Sequence, residues 1–163
     1  MKKSNHIDQY GNVRMVNISD KSVTLRKAVA IGTISVNSDV ISSIKNKLNK
    51  KGDVLAVSQV AGIQAAKNTS SLIPLTHQIL LKSVTINFEI IDLDIICTCE
   101  VISEGKTGVE IEALFATEVA LLTIYDMCKY IDRNMIMKEV KLLMKTGGKS
   151  DDFEREKWLI YSK

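Results

Sequence analysis

Residues 83–101, SVTINFEIIDLDIICTCEV, decide the fold. Val84, Ile86, Phe88 and Ile90 alternate with Thr85, Asn87 and Glu89, the period of two that a strand with one buried face requires. Leu93 to Val101 alternate again, so the two runs read as an antiparallel hairpin closing around Asp92-Leu93-Asp94. Cys97 and Cys99 fall on one face of the second strand. With Cys128 they make an odd set of three without CxxC spacing, which reads as reduced core thiols.

On the N-terminal side, LRKAVAIGTISV (25–36) is rich in β-branched and apolar residues and predicts a strand. Ser38-Asp39 then offers a cap for a helix in VISSIKNKLNKKG. From Asp53, which can cap a second helix, DVLAVSQVAGIQAAKNTSSLI places Leu55, Val57, Val60, Ala61 and Ile63 on an Ala-rich helix that Pro74 closes. On the C-terminal side, Gly105 and Gly108 punctuate the loop GKTG. A long helix follows from about Glu110 to Ile131, and Val140, Leu142 and Met144 supply a last strand. Strand, two helices, hairpin, helix, strand is close to the split βαβ arrangement, an α+β class with an antiparallel sheet covered by helices on one face. The long helix is apolar around most of its circumference, more than one sheet face needs, so a homo-oligomer is expected to cover its second side.

The chain has 163 residues, 45% hydrophobic and 25% charged, which suits one compact domain over residues 1–163. Roughly the first 20 residues and the charged tail KSDDFEREKWLIYSK, nearly all of it after residue 150, are expected to be less tied down. A net charge of +3 from 22 basic and 19 acidic residues is weak ground for a nucleic-acid surface and better suited to a small anionic ligand. MKKSNHIDQYGN lacks the apolar run of a secretory signal, and no segment reaches the ~18 apolar residues of a membrane span, so a soluble cytoplasmic protein is expected.

SLIPLTHQ (71–78) holds the only proline and one of two histidines, and local sequence leaves His77 open between a structural hydrogen-bonder and a functional group. GGKS (147–150) is not a P-loop, because Leu143 stands where GxxxxGK[ST] needs glycine. The Gly-Gly turn with Lys145 and Lys149 can either hold a phosphate or simply follow a strand. Asp126 and Lys129 are three apart on one helix face among apolar neighbours, either an ordinary surface pair or a functional one. Glu112 lies fourteen positions before Asp126, about 21 Å along an unbroken helix. If both serve one site, two subunits must build it. Lys51 in KKGD and Lys67 near the end of the Ala-rich helix are open between solvation and function. Two distant histidines and non-motif cysteines make no recognisable metal-ligand set.

KGDVLAVSQVAGIQAAKNTSSLIPLTH, GKTGVEIEAL, ALLTIYDMCK and LLMKTGGKS together closely resemble the molybdenum cofactor biosynthesis protein C (MoaC) family, the cyclic pyranopterin monophosphate synthases. The resemblance runs in order from about VNIS to GGKS. It implies a ferredoxin-like fold, a hexamer built as a trimer of dimers, and a lyase that needs no metal or redox cofactor. The implied substrate is a 3',8-cyclised dihydro-GTP derivative, converted to cyclic pyranopterin monophosphate with release of pyrophosphate. By motif, Asp126 of YDMCK is the implied catalytic residue with Lys129 beside it, and Lys51 is the lysine of KGD. Leu75, Thr76 and His77 match a substrate-contact triplet and Ile111 and Glu112 a contact pair, while Lys67 and Lys145 match further basic pocket positions.

These assignments suit chemistry that opens a purine ring and closes a cyclic phosphate, since both need repeated proton transfers and cations. Four positions depart from the family pattern: Thr76 for Cys, Gln78 for Pro, Ile111 for Met, and Asp151 for Gly. They bear on pocket shape, since none is an acid, base or cation of the motif set. A non-catalytic oligomeric nucleotide- or pterin-binding module is the alternative from another class, and a purely structural oligomer is a third. Convergence of Lys51, His77, Asp126 and Lys129 in one cleft, and turnover, would separate the three.

Overall fold

The computed structural model describes residues 6–148 and 152–155. The elements in chain order are β1 (Thr24–Ser35), α1 (Ser38–Lys45), α2 (Val54–Leu72), β2 (Leu81–Ile91), β3 (Asp94–Gly105), α3 (Glu110–Cys128), β4 (Ile136–Thr146) and β5 (Phe153–Glu154). The hairpin forms as read, with Ile91 opposite Asp94 across a two-residue turn in which Asp92 takes φ 53°. The sheet is mixed with helices in an α+β arrangement and has the order β2-β3-β1-β4-β5, every neighbouring pair antiparallel.

β1 lies between β3 and β4, which explains why its run AVAIGTI is apolar without a break. Ala28, Ala30 and Ile34 point inward with Ile86, Cys97 and Cys99 into the main core, to which Val40 and Ile41 of α1 and the inner faces of α2 and α3 contribute. The opposite parity, Val29 and Ile31, makes a smaller buried cluster with Ile96 and Leu143. Glycine at position 32 lets α3 lie close on β1, since a Cβ there would come within 2.8 Å of the side chains of Leu121 and Val140.

Five expectations need correction. The cap of α1 is Asn37, whose side chain accepts from the Val40 N–H, and not Ser38-Asp39; Asp53 does cap α2, accepting from the Ala56 N–H. The buried stripe of α2 is Val54, Ser58, Gly62, Ala65, Ala66 and Thr69, whereas Val57 and Val60 are 43% and 61% exposed. Small residues prevail there because α2 packs tightly along α3: a Cβ on Gly62 would sit 2.9 Å from the Ala116 carbonyl oxygen. α3 ends at Cys128, three residues early, and its second side is covered by α2 of the same chain, so its apolar circumference does not by itself demand a partner. In β4 the register slips at Leu143, so Val140 and Leu142 join the main core while Met144 packs with the opposite cluster. Finally, the chain after residue 150 adds a short strand, β5, against β4; Lys149, Ser150, Asp151 and residues 156–163 lie outside the described residues.

Candidate active site

The long helix α3 carries chemistry at both ends. At its C-terminal end, the connection between α1 and α2 lays Lys51 alongside the last turn. Lys51 Nζ donates to Asp126 Oδ2 at 3.1 Å and to the Asp126 carbonyl oxygen at 2.8 Å. Lys129, the helix C-cap, brings its Nζ to Asp126 Oδ1 at 2.8 Å. One carboxylate thus holds two ammonium groups, each on its own oxygen. The free carbonyls of a helix C-terminus and the negative end of its dipole also favour cations at this place. The Lys129 hydrogen bond first, and that of Lys51 next, hold the Asp126 carboxyl below the usual carboxylate range. The three side chains are 43–56% exposed, so they stand at the surface, open to a ligand.

At the N-terminal end, Leu75, Thr76 and His77 meet Ile111 and Glu112 around a cavity of about 410 Å³. Pro74 positions this segment: α2 stops at Leu72, and Ile73 before the proline is extended. The Thr76 hydroxyl donates to the Ile73 carbonyl at 2.9 Å, so it closes the turn as well as lining the cavity. Glu112 is 3% exposed, and burial pushes its carboxyl up to about 7, helped by the charge of Glu110 and opposed by its own backbone N–H. It is a carboxyl that can give or take a proton near neutrality.

Lys67 lines a neighbouring groove with Gln78, sharing Ile79 with the first cavity. Lys145 reaches the cavity edge through Glu110, Nζ to Oε1 at 3.3 Å. Sequence reasoning missed a third recess of about 270 Å³, which shares Lys21, Thr107, Gly108 and Glu110 with the lining of the first and in which Arg26 and Lys106 also stand. Arg26 is 7% exposed and donates to the carbonyls of Gly105 and Gly147 at 3.3 and 2.8 Å. The Gly-Gly turn is therefore filled by a guanidinium, and a Cβ on Gly148 would lie 1.7 Å from its Nη1. The signal was present in β1: extending the inward parity of Ala30 and Ala28 back by two places puts an arginine at a core position, where it must be paired.

The structure therefore brings the nominated residues together in two groups. Lys51, Asp126 and Lys129 form one, and Leu75, Thr76, His77, Ile111 and Glu112 the other, with Lys145 at its rim. Lys67 stands in the adjoining groove. The two groups sit at opposite ends of one unbroken helix, about 21 Å apart along its axis. Among the described residues no three His, Cys, Asp or Glu side chains gather as metal ligands, and no helix is long and apolar enough to cross a membrane. The three thiols are free and buried, burial pushing Cys99 up to about 12, Cys128 up to about 11, and Cys97 up as well.

A family model described as the MoaC family matches residues 15–148. A protein of a Thermoanaerobacter strain, called cyclic pyranopterin monophosphate synthase, is 52% identical over 93% of this chain and 97% of its own length. Proteins of the same name from Clostridium acetobutylicum and Bacillus velezensis are 49% and 48% identical. These alignments cover 92% and 93% of this chain, and 94% and 91% of the relatives.

Proposed function

The chain belongs to the MoaC family, and from that premise we propose that it is a cyclic pyranopterin monophosphate synthase of molybdenum cofactor biosynthesis whose proton-transfer centre is Lys51, Asp126 and Lys129. It converts the 3',8-cyclised dihydro-GTP derivative to cyclic pyranopterin monophosphate and pyrophosphate, a lyase reaction. The observation that carries this reading is the convergence of two ammonium groups on one carboxylate, at 2.8 and 3.1 Å. Lys51 and Lys129 can charge-match phosphate and exchange protons at the reacting centre, while Asp126 fixes where both stand. Leu75, Thr76, His77, Ile111 and Glu112, with Lys67 and Lys145 at the margin, form the substrate-binding half, His77 as a hydrogen-bonding contact.

The two halves are too far apart in one chain to grip one small molecule. We therefore read the active site as shared between two subunits of a ferredoxin-like homo-oligomer, a hexamer by family resemblance. An apolar groove of about 420 Å³ between α3 and β4, including Phe115, Val119, Leu122 and Met137, supports a subunit contact there. Three buried free thiols suit a reducing compartment, the cytoplasm.

The test supplies Lys51→Ala, Lys129→Ala and Asp126→Asn proteins with the cyclised triphosphate and assays pterin product and pyrophosphate separately. Each should lose about a hundredfold or more of kcat; full activity in all three would refute the assignment. Mixing inactive Asp126→Asn chains with inactive His77→Ala chains should restore part of the activity, because mixed oligomers regain some intact shared sites. No recovery after verified subunit exchange would return each site to a single chain.

A further inference from the structure

The segment from Lys45 to Asp53 is solvent-exposed with one exception: Asn49 is only 8% exposed. A buried amide in a solvated loop needs partners for both its donor and its acceptor. Asn49 has them. Its Nδ2 donates to the Met127 carbonyl at 3.3 Å and lies 3.6 Å from Cys128 Sγ, while its Oδ1 accepts the backbone N–H of Lys51 at 2.9 Å. Gly52, at φ +99°, donates its N–H back to the Asn49 carbonyl and tightens the same turn. On the other side the Lys50 N–H donates to Tyr130 Oη at 3.0 Å.

These bonds have a common direction. The last carbonyls of α3 have no helical N–H to accept, and here Asp126 offers its carbonyl to Lys51 Nζ and Met127 offers its carbonyl to Asn49. Asn49 therefore docks the loop backbone on the same helix end that Lys51 reaches with its side chain. A lysine on a mobile backbone would spread its ammonium over several positions around Asp126. With its own N–H fixed two residues from the dock, the four-carbon stem has one short path to the carboxylate.

We propose that Asn49 is the positioning residue of Lys51: one buried amide couples the loop to the end of α3 and so sets the ammonium group against Asp126. The proposal rests on Lys51 acting in the reaction, and its test separates the two claims. Asn49→Leu keeps the approximate size and removes both hydrogen-bonding functions. It should lower kcat about tenfold or more with KM within about threefold, because positioning and not binding is lost. Asn49→Ser keeps a hydroxyl that can accept the Lys51 N–H in the same kind of turn, and should recover part of kcat even if the leucine variant folds poorly.

In a Lys51→Ala background, Asn49→Leu should change the residual kcat by less than about twofold, since the group it positions is gone. Independently of turnover, reductive methylation read by mass spectrometry should modify Lys51 several-fold faster in Asn49→Leu than in the parent protein. Parent-like kcat and Lys51 labelling in Asn49→Leu would overturn the proposal, as would a loss equally large with and without the Lys51 side chain. Full activity of Lys51→Ala alone would instead sink the catalytic role of Lys51, while the labelling would still report whether Asn49 holds it.

Discussion

Glu112 and Asp126 ride on the same helix, one in its first turn and the other in its last. The helix dipole favours an anion at the first and disfavours one at the last, by about 0.3–1 kcal/mol. Both carboxyls are tuned the other way. Burial pushes Glu112 from its ordinary 4.5 up to about 7, whereas the Lys129 and Lys51 ammonium groups hold Asp126 below its ordinary range. The Glu112 shift corresponds to roughly 3 kcal/mol, several times what the dipole offers. Desolvation at one end and direct ion pairs at the other therefore decide the protonation states. A single helix presents a carboxyl that can hold a proton near pH 7 and a carboxylate that cannot.

Substitution at the exposed end should cost chemistry and leave folding almost untouched. Asp126→Asn removes the charge on which both lysines converge, and kcat should fall by about two to three orders of magnitude. Its stability at pH 7 should stay close to the parent, because ion pairs this exposed contribute little. The small contribution that exists has a definite sign. A depressed carboxyl stabilises above its unfolded value and loses that contribution as pH falls through its folded one, so any small stability difference between Asp126→Asn and the parent is present at pH 7 and disappears in acid. Urea unfolding of both proteins at pH 7 and at pH 3 checks this.

The buried end should behave in reverse. Because the folded value of Glu112, about 7, lies above its unfolded 4.5, the native state binds more protons in that window and stability falls as pH rises through it. Urea unfolding should show a loss of up to about 3 kcal/mol between pH 4.5 and pH 8. Glu112→Gln should flatten that slope, while Asp126→Asn should keep it. A slope that survives in Glu112→Gln would mean that another group, and not Glu112, carries it.

The middle of α3 offers a smaller perturbation that should reach both ends. Gly62→Ala places a methyl 2.9 Å from the Ala116 carbonyl and against Ile86, so α2 and α3 must part slightly. A destabilisation of about 1–3 kcal/mol is expected by chemical denaturation. Unchanged stability would show that the helix pair has slack where the geometry shows none.

The sequence made these two ends legible to different degrees, for physical reasons. The alternation of residues 84–90 and the proline after α2 are local signals, and they predicted the hairpin and the connection after α2 that holds His77, while only motif resemblance put His77 at a pocket. Asp126 and Lys129 are three apart on a helix, so their meeting could be read from spacing alone. Lys51 meets Asp126 from 75 positions away. That contact depends on how the loop before α2 docks on α3, which no local pattern encodes, and only motif resemblance nominated it. Arg26 was hidden differently: its parity was visible in β1, but the carbonyls that satisfy it come from Gly105 and Gly147 on other strands' ends. The apolar circumference of α3 was read correctly as two-sided burial, yet the cover came from α2, because a small-residue stripe leaves no strong amphipathic signature.

The mildest change tests how local the drying of Glu112 is. Ile111 is its chain neighbour and is 38% exposed on the cavity. Ile111→Met preserves volume and apolarity but exchanges a stiff β-branched side chain for a flexible one, so stability should change by no more than about 0.5 kcal/mol. KM should shift by less than about threefold with kcat unchanged, as expected for a group that shapes the pocket without taking part in proton transfer. The informative quantity is the pH midpoint of the stability curve. If α3 packing alone desolvates Glu112, the midpoint stays near 7 in Ile111→Met. A clear downward shift would mean that the cavity wall, and not the helix contact, keeps water from the carboxyl. The contrast between the two ends of α3 would then belong to the pocket as much as to the fold.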